Sequence, residues 1–419
     1  MYKRQVEGWD KFEGNSPHRP WVDYVKIKHP KTGLIGTRIA DVGNPWLDAG
    51  IVPFSTMKYF EDKKYWEQWF PADFITECFP GQFRNWFYSL LAMSAFLENK
   101  APFKTLLGHA LVKDEKGDEM HKSAGNAIWF DDAAEKMGVD VMRWMYSKQN
   151  VENNLLFGYD KADEVRKKLI SLWNIYSFFC TYASLDKFVP GKNKIDKEDL
   201  SLLDKWIKEK SKALIVKSKE SFDSFEIDKF LKDVEIFIDD LSNWYIRRNR
   251  RRFWKSENDK DKFVAYQTLY EVLLSLIKVL SPVLPFISER MFLNMTSEDS
   301  KENKESIHLS NFPKYDGEID YELISKVDSL KKVIESGRAV RKKANIKVRQ
   351  PLDHLKIFML DNDLKKFITE QQDIIIDELN IKNVIFSDDL NDFGDFSLKP
   401  NFKSIKSKFE DDMQEVMKK

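Results

Sequence analysis

An apolar periodicity in the middle of the chain constrains its fold most strongly. Apolar residues recur at i, i+3 or i+4 for about five helical turns from Ile227 to Tyr245, the spacing of a buried helix face. A second such stretch, Gln267–Leu280, is followed by Pro282 and Pro285, and prolines end helices. Helical patterns continue over residues 155–295, and we predict a helix bundle there.

The sequence before the bundle has the pattern of an α/β domain. Val22–Ile27 and Asp73–Thr76 are interpreted as strands, Phe83–Leu97 as an amphipathic helix, and Leu106–Val112 as a buried strand. Alternation of strand and helix with apolar strands is typical of a parallel sheet. We therefore predict an α/β domain over residues 1–126, followed by a helical connector over 127–154.

The sequence after the bundle predicts a smaller α+β region. Residues 296–317 begin with a polar stretch and are interpreted as a linker. The region predicted over 318–419 consists of a helix at Asp328–Ala344, strands at Leu355–Phe358 and Asn383–Phe386, and a charged helix over 403–419.

Composition excludes several classes of protein. Lys and Arg (68) equal Asp and Glu (68) in number, so any nucleic-acid site must be a local basic patch. The two cysteines, Cys78 and Cys180, and six histidines without paired spacing predict neither zinc nor a disulfide framework. Low cysteine usage favours a cytosolic, cytoplasmic location. The most apolar stretch, Val272–Ile287, is interrupted by prolines and a lysine, and we predict no membrane span.

The segment Glu119–Asn126 is the first candidate site. It follows a tight turn, Asp114–Gly117, and combines a lysine and a serine with small residues. A loop of this kind suits a flexible polyphosphate, because Lys122 would supply a mobile charge that stabilises charge developing on the phosphates. Without further context, a Lys-Ser pair in a loop is more often ordinary surface.

The same segment resembles the K-M-S-K-S signature loop of class I aminoacyl-tRNA synthetases. Lys122 and Ser123 fall on the second lysine and serine of the motif, whereas Glu119 and His121 depart from it. Other motifs of that family are resembled in the same order along the chain, by Trp46–Gly50, Pro71–Glu77 with Gln82, Asp140–Trp144 and Leu241–Trp254. Cys78 stands where the family has a glycine, and Phe79-Pro80-Gly81 alters the turn before Gln82 by about one residue.

The C-terminal region resembles the isoleucine enzymes of this family. The similarity lies in Arg338–Leu352 and Leu398–Lys403, and the sustained heptads of a coiled coil, usual in the valine enzymes, are absent. The resemblance implies a Rossmann-like half-domain, an anticodon-binding bundle and an α+β region. It also implies ATP-dependent joining of isoleucine to tRNA through an adenylate, with Mg²⁺ accompanying the ATP.

The resemblance implies roles for individual residues. Lys122 would be catalytic, and the remaining expected residues are Met120, His121, Ser123 and Gln82 at ATP or the adenylate, and Trp46, Trp86 and Glu77 at the amino acid. The tryptophans would be stiff walls of an apolar slot, since one methylene discriminates by only about 1–3 kcal/mol. The alternative is that both tryptophans are core aromatics.

Two basic clusters are candidates for tRNA contact. Residues 331–349 hold eight basic residues and one acidic residue, and five arginines lie within Arg247–Arg252. Such a local excess of positive charge is typical of a surface that binds the phosphates of a nucleic acid. The expected contacts are Arg247, Arg248, Arg251, Arg341, Lys342, Lys343 and Arg349. The alternatives are a solvated basic face, or arginines paired with acids such as Asp239 and Asp240.

The family's other phosphate-binding motif, His-x-Gly-His, is absent from the sequence, and no editing domain is recognisable. The chain therefore resembles the later part of such an enzyme: it is either one half of a split enzyme, which a separately encoded N-terminal half completes, or a fragment of a longer reading frame. Two other interpretations stay open: a valyl- or leucyl-type ligase, and a non-catalytic tRNA-binding module.

Overall fold

The computed structural model describes residues 5–16, 18–41, 44–254, 259–296 and 305–393. The chain divides into two compact units: unit 1 is residues 1–169 with 224–231, and unit 2 is residues 170–223 with 232–419. The domain boundaries predicted at residues 126, 154, 295 and 317 stay predictions.

Unit 1 combines short strands with helices. Its strands are β1 (Gln5–Glu7), β2 (Lys26–Lys28), β3 (Ile35–Gly36), β4 (Ala72–Cys78), β5 (Phe103–His109), β6 (Val112–Lys113) and β7 (Leu155–Leu156). Its helices are α1 (Trp9–Phe12), α2 (Pro45–Gly50), α3 (Val52–Ser55), α4 (Lys63–Trp69), α5 (Phe79–Gln82), α6 (Trp86–Glu98), α7 (Phe130–Met137), α8 (Val139–Lys148) and the first turns of α9 (Tyr159–Leu185).

The predicted strand–helix–strand unit is present in unit 1. β4 and β5 pair in parallel, with Phe74 opposite Thr105 and Glu77 opposite Gly108, and α5 and α6 connect them. A Cβ at Gly108 would lie 2.7 Å from the Phe79 ring. Glycine there lets α5 lie directly over the carboxyl end of the two strands.

Three predicted elements of unit 1 differ in their bounds. The helix predicted from Phe83 begins at Trp86, because the non-helical backbone of Asn85 (φ −111°, ψ −102°) separates it from the short helix α5. The strand predicted over Leu106–Val112 is divided, since Ala110 N donates to Val151 O (2.8 Å) outside β5. Only the end of the strand predicted over Val22–Ile27 is extended; Trp21–Tyr24 is a 3₁₀ turn.

Unit 2 contains the predicted helix bundle. Its helices are the rest of α9, α10 (Leu202–Asp223), α11 (Ile227–Asp239), which begins in unit 1, a π-helical segment (Asp240–Ile246), α12 (Arg247–Trp254), α13 (Asp259–Leu280) and α14 (Pro285–Met295). The helical prediction is confirmed, but the pattern from Ile227 to Tyr245 is not one regular helix. The π-turn after Asp239 widens the backbone and buries Asp240, Leu241, Trp244 and Tyr245 on one side.

A buried carboxylate lies in the middle of the bundle. Asp204 of α10 is fully buried, and it accepts hydrogen bonds from Tyr245 Oη (2.7 Å) and Ser201 Oγ (2.7 Å) and pairs with Arg252 (3.0 Å). A buried charge is tolerated only with such partners. Asp204 therefore fixes the π-helical segment and α12 against α10.

α13 is, among the described residues, the one helix long and apolar enough to cross a membrane by length and composition, and 67% of its apolar window is buried inside the fold. Val264, Leu269 and Leu276 are among its residues with almost no exposed surface. The helix is thus part of the bundle core.

The C-terminal part of unit 2 is α+β, as predicted. It consists of α15 (Tyr321–Lys343), β8 (Leu352–Phe358), α16 (Asn362–Glu370), α17 (Gln372–Leu379) and β9 (Ile381–Ser387), and β8 and β9 pair in parallel. A Cβ at Gly337 would lie 2.4 Å from Leu379 Cδ1, so glycine allows α15 to approach α17. The charged helix predicted over 403–419 and the segment Leu398–Lys403 lie outside the described residues.

Candidate active site

The Lys122 loop, defined as residues Glu119–Asn126, connects β6 to the segment before α7. Glu119 forms an isolated antiparallel β-bridge with Lys113. Lys122–Ala124 form one 3₁₀ turn. Gly125 ends this turn with a φ of 72°, a left-handed conformation that favours glycine. The Lys122 side chain is exposed, and its ammonium lies 4.7 Å from the centre of the Trp129 ring. The predicted catalytic lysine is thus accessible to a ligand.

The loop is closed by an asparagine side chain. Asn126 Nδ2 donates to Asp114 Oδ2 (3.0 Å) and to Glu119 O (3.0 Å), and Asn126 Oδ1 accepts from His121 N (2.9 Å). The hydrogen bond from Asn126, together with backbone N–H groups of the turn, lowers the pKa of Asp114 below its usual range. The sequence alone does not reveal this role of Asp114 and Asn126, although both stand at turn positions typical of Asp and Asn.

Three of the other residues expected at ATP, Met120, His121 and Ser123, occupy the same loop, whereas Gln82 lies in α5. His121 is exposed, with Nε2 at 3.5 Å from Glu119 Oε2, and Met120 is half-buried. Ser123 lies in the 3₁₀ turn. Their roles stay predictions, because their positions place them beside Lys122 without identifying a ligand.

The residues expected at the amino acid lie on β4, α2 and the α5–α6 segment. Glu77 is at the carboxyl end of β4, where Oε1 accepts from Cys78 N (2.8 Å). Gln82 Oε1 accepts from Trp86 N (3.2 Å) at the start of α6. Both side chains are therefore ordered by local backbone contacts at one edge of the sheet.

The two tryptophans lie on helices that pack together. α2 begins at Pro45, where Asn44 caps it, and Trp46 follows. A Cβ at Gly50 of α2 would lie 2.7 Å from Ser89 O of α6, so these helices are in close contact. Trp46 is 38% exposed and Trp86 is half-buried, which disfavours the alternative that both are core aromatics.

The basic residues of unit 2 separate into paired and exposed groups. Glu378, almost fully buried, pairs with Arg247 (2.8 Å), Arg248 (2.8 Å) and Arg338. Burial alone would raise the pKa of Glu378, but the guanidiniums of Arg248 and Arg247 outweigh it and lower that pKa. The arginines line a cavity of about 580 Å³, whose charged residues are Arg247, Arg248, Arg250, Arg251, Arg338, Asp377 and Glu378.

These arginines pair with Asp377 and Glu378, and not with Asp240, one of the acids suggested by the sequence. Asp240 is buried and pairs instead with Lys210 and Lys331. Arg251, Lys342, Lys343 and Arg349 are exposed. These four remain the best placed of the residues expected to contact tRNA.

The expectation that Arg341 contacts tRNA does not fit its position. Arg341 is 4% exposed. Its guanidinium donates to four backbone carbonyls, those of Lys347 (3.1 Å), Gln350 (3.0 Å), Leu379 (2.6 Å) and Asn380 (3.1 Å). Arg341 thus joins α15, the loop before β8 and the end of α17, and is a structural residue.

In the part of the chain that the structure describes, no group of three or more His, Cys, Asp or Glu side chains could hold a metal ion.

The sequence is similar to two families of tRNA synthetase domains and to several isoleucine–tRNA ligases. Residues 11–157 match the family model of tRNA synthetases class I (I, L, M and V), and residues 204–357 match that of the anticodon-binding domain of tRNA ligase. The chain is 40% identical over 390 residues to the isoleucine–tRNA ligase of Clostridium novyi (strain NT), covering 92% of this chain and 37% of that protein. It is 39% identical over 401 residues to that of Clostridium tetani (strain Massachusetts / E88), covering 94% and 38%.

A solved structure shares the fold. It is that of the LeuRS of Agrobacterium radiobacter K84 in its ternary complex with tRNA and LeuAMS. The match covers 71% of this chain and 36% of the LeuRS chain, with a TM-score of 0.52 and 16% sequence identity. The chain thus spans less than two fifths of the length of these relatives.

Arg341 gives a test of the division between structural and exposed bases. We expect Arg341→Met to destabilise unit 2 by about 3 kcal/mol or more, because several buried carbonyls lose a charged donor. Lys342→Met, at the exposed neighbouring position, should change stability by less than about 0.5 kcal/mol. Urea unfolding followed by hydrogen exchange of β8 and α17 measures both, and equal effects would contradict the structural role of Arg341.

Proposed function

We propose that this chain belongs to the class I tRNA synthetases and is part of an isoleucine–tRNA ligase. The observation that carries the proposal is its 40% identity to an isoleucine–tRNA ligase along 92% of its own length. The exposed Lys122 in an ordered loop supports a catalytic role. The relatives favour isoleucine over the valyl- or leucyl-type alternative.

The proposed reaction has two steps. The carboxylate of isoleucine attacks the α-phosphate of ATP and releases pyrophosphate, and a ribose hydroxyl at the 3′ end of the tRNA then attacks the adenylate. Mg²⁺ would accompany the ATP phosphates. Catalysis of this kind depends on positioning and on stabilisation of developing charge.

Lys122 is suited to the charge-stabilising role. Its ammonium contacts the Trp129 ring, and a contact of this kind at an exposed site is worth only about 0.5–1 kcal/mol. A polyphosphate can therefore displace the lysine from the ring at small cost. Met120, His121 and Ser123 would contact ATP from the same loop, and Gln82 would reach the adenylate.

Trp46, Trp86 and Glu77 are proposed to form the amino-acid pocket. Trp46 and Trp86 lie on two helices in close contact, which would hold the walls of an apolar slot rigidly. Glu77, at the carboxyl end of β4, would attract the substrate ammonium. A rigid slot is needed because a missing methylene changes the binding free energy by only about 1–3 kcal/mol.

The tRNA is proposed to contact unit 2 through bases that remain accessible. Lys342 and Lys343 end α15, Arg349 follows in the loop before β8, and Arg251 lies in α12. Arg247 is 44% exposed and Arg248 18% exposed, so both can reach phosphates only by sharing their contacts with Glu378.

Unit 1 exposes several large apolar side chains. Phe60 (86%), Phe96 (84%) and Tyr88 (66%) are among its most exposed large residues, and their burial against another polypeptide would be favourable. We propose that a separately encoded N-terminal half, carrying the missing His-x-Gly-His motif, packs there in the cytosol. A non-catalytic tRNA-binding module is the alternative for the chain by itself.

Isoleucine-dependent pyrophosphate exchange tests the proposed reaction. We expect little exchange by the purified chain, and robust exchange once a separately expressed N-terminal half from the same genome is added. Valine should support exchange roughly 10–200-fold less well, the discrimination that one methylene allows, and leucine should be a poor substrate. Preference for valine or leucine would replace the isoleucine assignment, and tRNA binding without any exchange in the mixture would favour the non-catalytic module.

Lys122→Ala should slow adenylate formation in the active mixture about 10²–10³-fold, the effect of removing one charge-stabilising group. Isoleucine affinity should hardly change. The control is Lys116→Ala, which removes an exposed lysine from the preceding turn. This variant should form the adenylate at the wild-type rate. Single-turnover kinetics measure the step, and a wild-type rate for Lys122→Ala would exclude the lysine from catalysis.

Replacement of Lys342 and Lys343 with alanine should weaken tRNA binding and reduce its salt dependence by up to about two phosphate contacts. A double alanine variant at Lys366 and Lys382, two exposed lysines of the same unit, removes the same charge elsewhere and should keep the wild-type slope. Titrations at several salt concentrations compare them. An unchanged slope in the first variant would show that this end of α15 does not touch RNA.

A further inference from the structure

The turn before the Lys122 loop is fixed to a long helix. Glu115 Oε1 accepts from Asp160 N (2.8 Å) and Lys161 N (3.3 Å) in the first turn of α9. A Cβ at Gly158 would lie 2.0 Å from Glu115 Cγ, so glycine is needed for this approach. The turn Asp114–Gly117 therefore has a firm attachment that does not involve the loop.

The neighbouring carboxylate of the turn holds the loop. Asp114 Oδ1 accepts from Lys116 N (3.0 Å) and Asp118 N (2.9 Å), which leaves Oδ2 for Asn126. Asn126 reaches back to Glu119 O and His121 N at the other end of the loop. One amide thus joins both ends of the loop to the fixed turn.

We propose that Asn126, held by Asp114, is a positioning residue that sets the Lys122 loop before ATP arrives. The proposal rests on the proposed ATP chemistry of Lys122. Because the loop backbone is ordered in advance, phosphates meet a lysine whose main chain does not have to be rearranged, and positioning of this kind contributes to catalysis. The Lys122 side chain keeps its freedom, since it is exposed and its contact with the Trp129 ring is weak.

An exchange of the two side chains isolates this contact. Asp114→Asn places two amide donors against each other, and Asn126→Asp places two carboxylates against each other. The double variant D114N/N126D restores one donor and one acceptor between the two positions with the roles reversed, but it leaves Glu119 O without the donor that Asn126 supplies. Rotation of the Asn126 amide cannot rescue Asp114→Asn, because it would lose the contacts to Glu119 and His121. Coupling between two positions is measured cleanly by such a cycle.

Trypsin cleavage after Lys122 in the full-length chain reports the state of the loop, because cleavage follows the population of the open form. We expect each single variant to be cleaved about tenfold faster, the equivalent of one charged hydrogen bond. The double variant should be cleaved about threefold or more slower than Asn126→Asp, and the rate that remains above wild type reflects the lost hydrogen bond to Glu119 O. Asn150→Asp is the matched control: it adds the same charge but keeps the acceptor for Glu152 N, and its rate should be unchanged.

Steady-state kinetics of the mixture active in pyrophosphate exchange test the positioning role. The single variants should raise the KM for ATP or lower kcat by about tenfold with an unchanged KM for isoleucine, and the double variant should recover part of the activity that Asn126→Asp loses. Wild-type trypsin rates in both single variants, or a double variant cleaved no more slowly than Asn126→Asp, would overturn the contact. Faster cleavage with unaltered ATP kinetics would overturn the positioning role. A wild-type mixture without isoleucine activation would instead contradict the proposed function, and with it the role of Asn126 towards ATP, whatever trypsin shows about the loop.

Discussion

The need to pair buried carboxylates organises unit 2. Asp204, Asp240 and Glu378 are each almost fully buried, and a buried charge is costly unless cations and hydrogen-bond donors surround it. Asp204 forms a salt bridge with Arg252, and Asp240 forms salt bridges with Lys210 and Lys331. Glu378 forms salt bridges with three arginines. These pairings hold the π-helical segment, α12, α15 and α17 in place.

This constraint also decides which basic residues remain for a ligand. Lys331 is committed to Asp240 and Arg341 to backbone carbonyls, so neither offers its charge at the surface. Lys342 and Lys343, directly after Arg341, are exposed. A run of bases that is continuous in sequence is therefore divided by helical geometry into an inner and an outer face, and the tRNA contact we propose concerns only the outer one.

Sequence reasoning predicted the elements whose signal is local. The apolar period from Ile227 predicted helix, and the apolar stretches on either side of α6 predicted parallel strands. It missed the π-turn at Asp240–Ile246, because a single extra residue in a turn leaves the apolar spacing nearly unchanged. It also assigned Arg341 to the surface, since a charge pattern does not show partners that lie about 40 positions away, and it assigned no role to Asn126.

The charged fraction of each tRNA in the cells from which the chain comes tests the central claim most directly. Depletion of the chain, followed by separation of charged from uncharged tRNA, does not require a reconstituted enzyme. The account predicts that tRNA(Ile) loses its amino acid first and that tRNA(Val) and tRNA(Leu) stay charged. Unchanged charging of tRNA(Ile) after full depletion would contradict it.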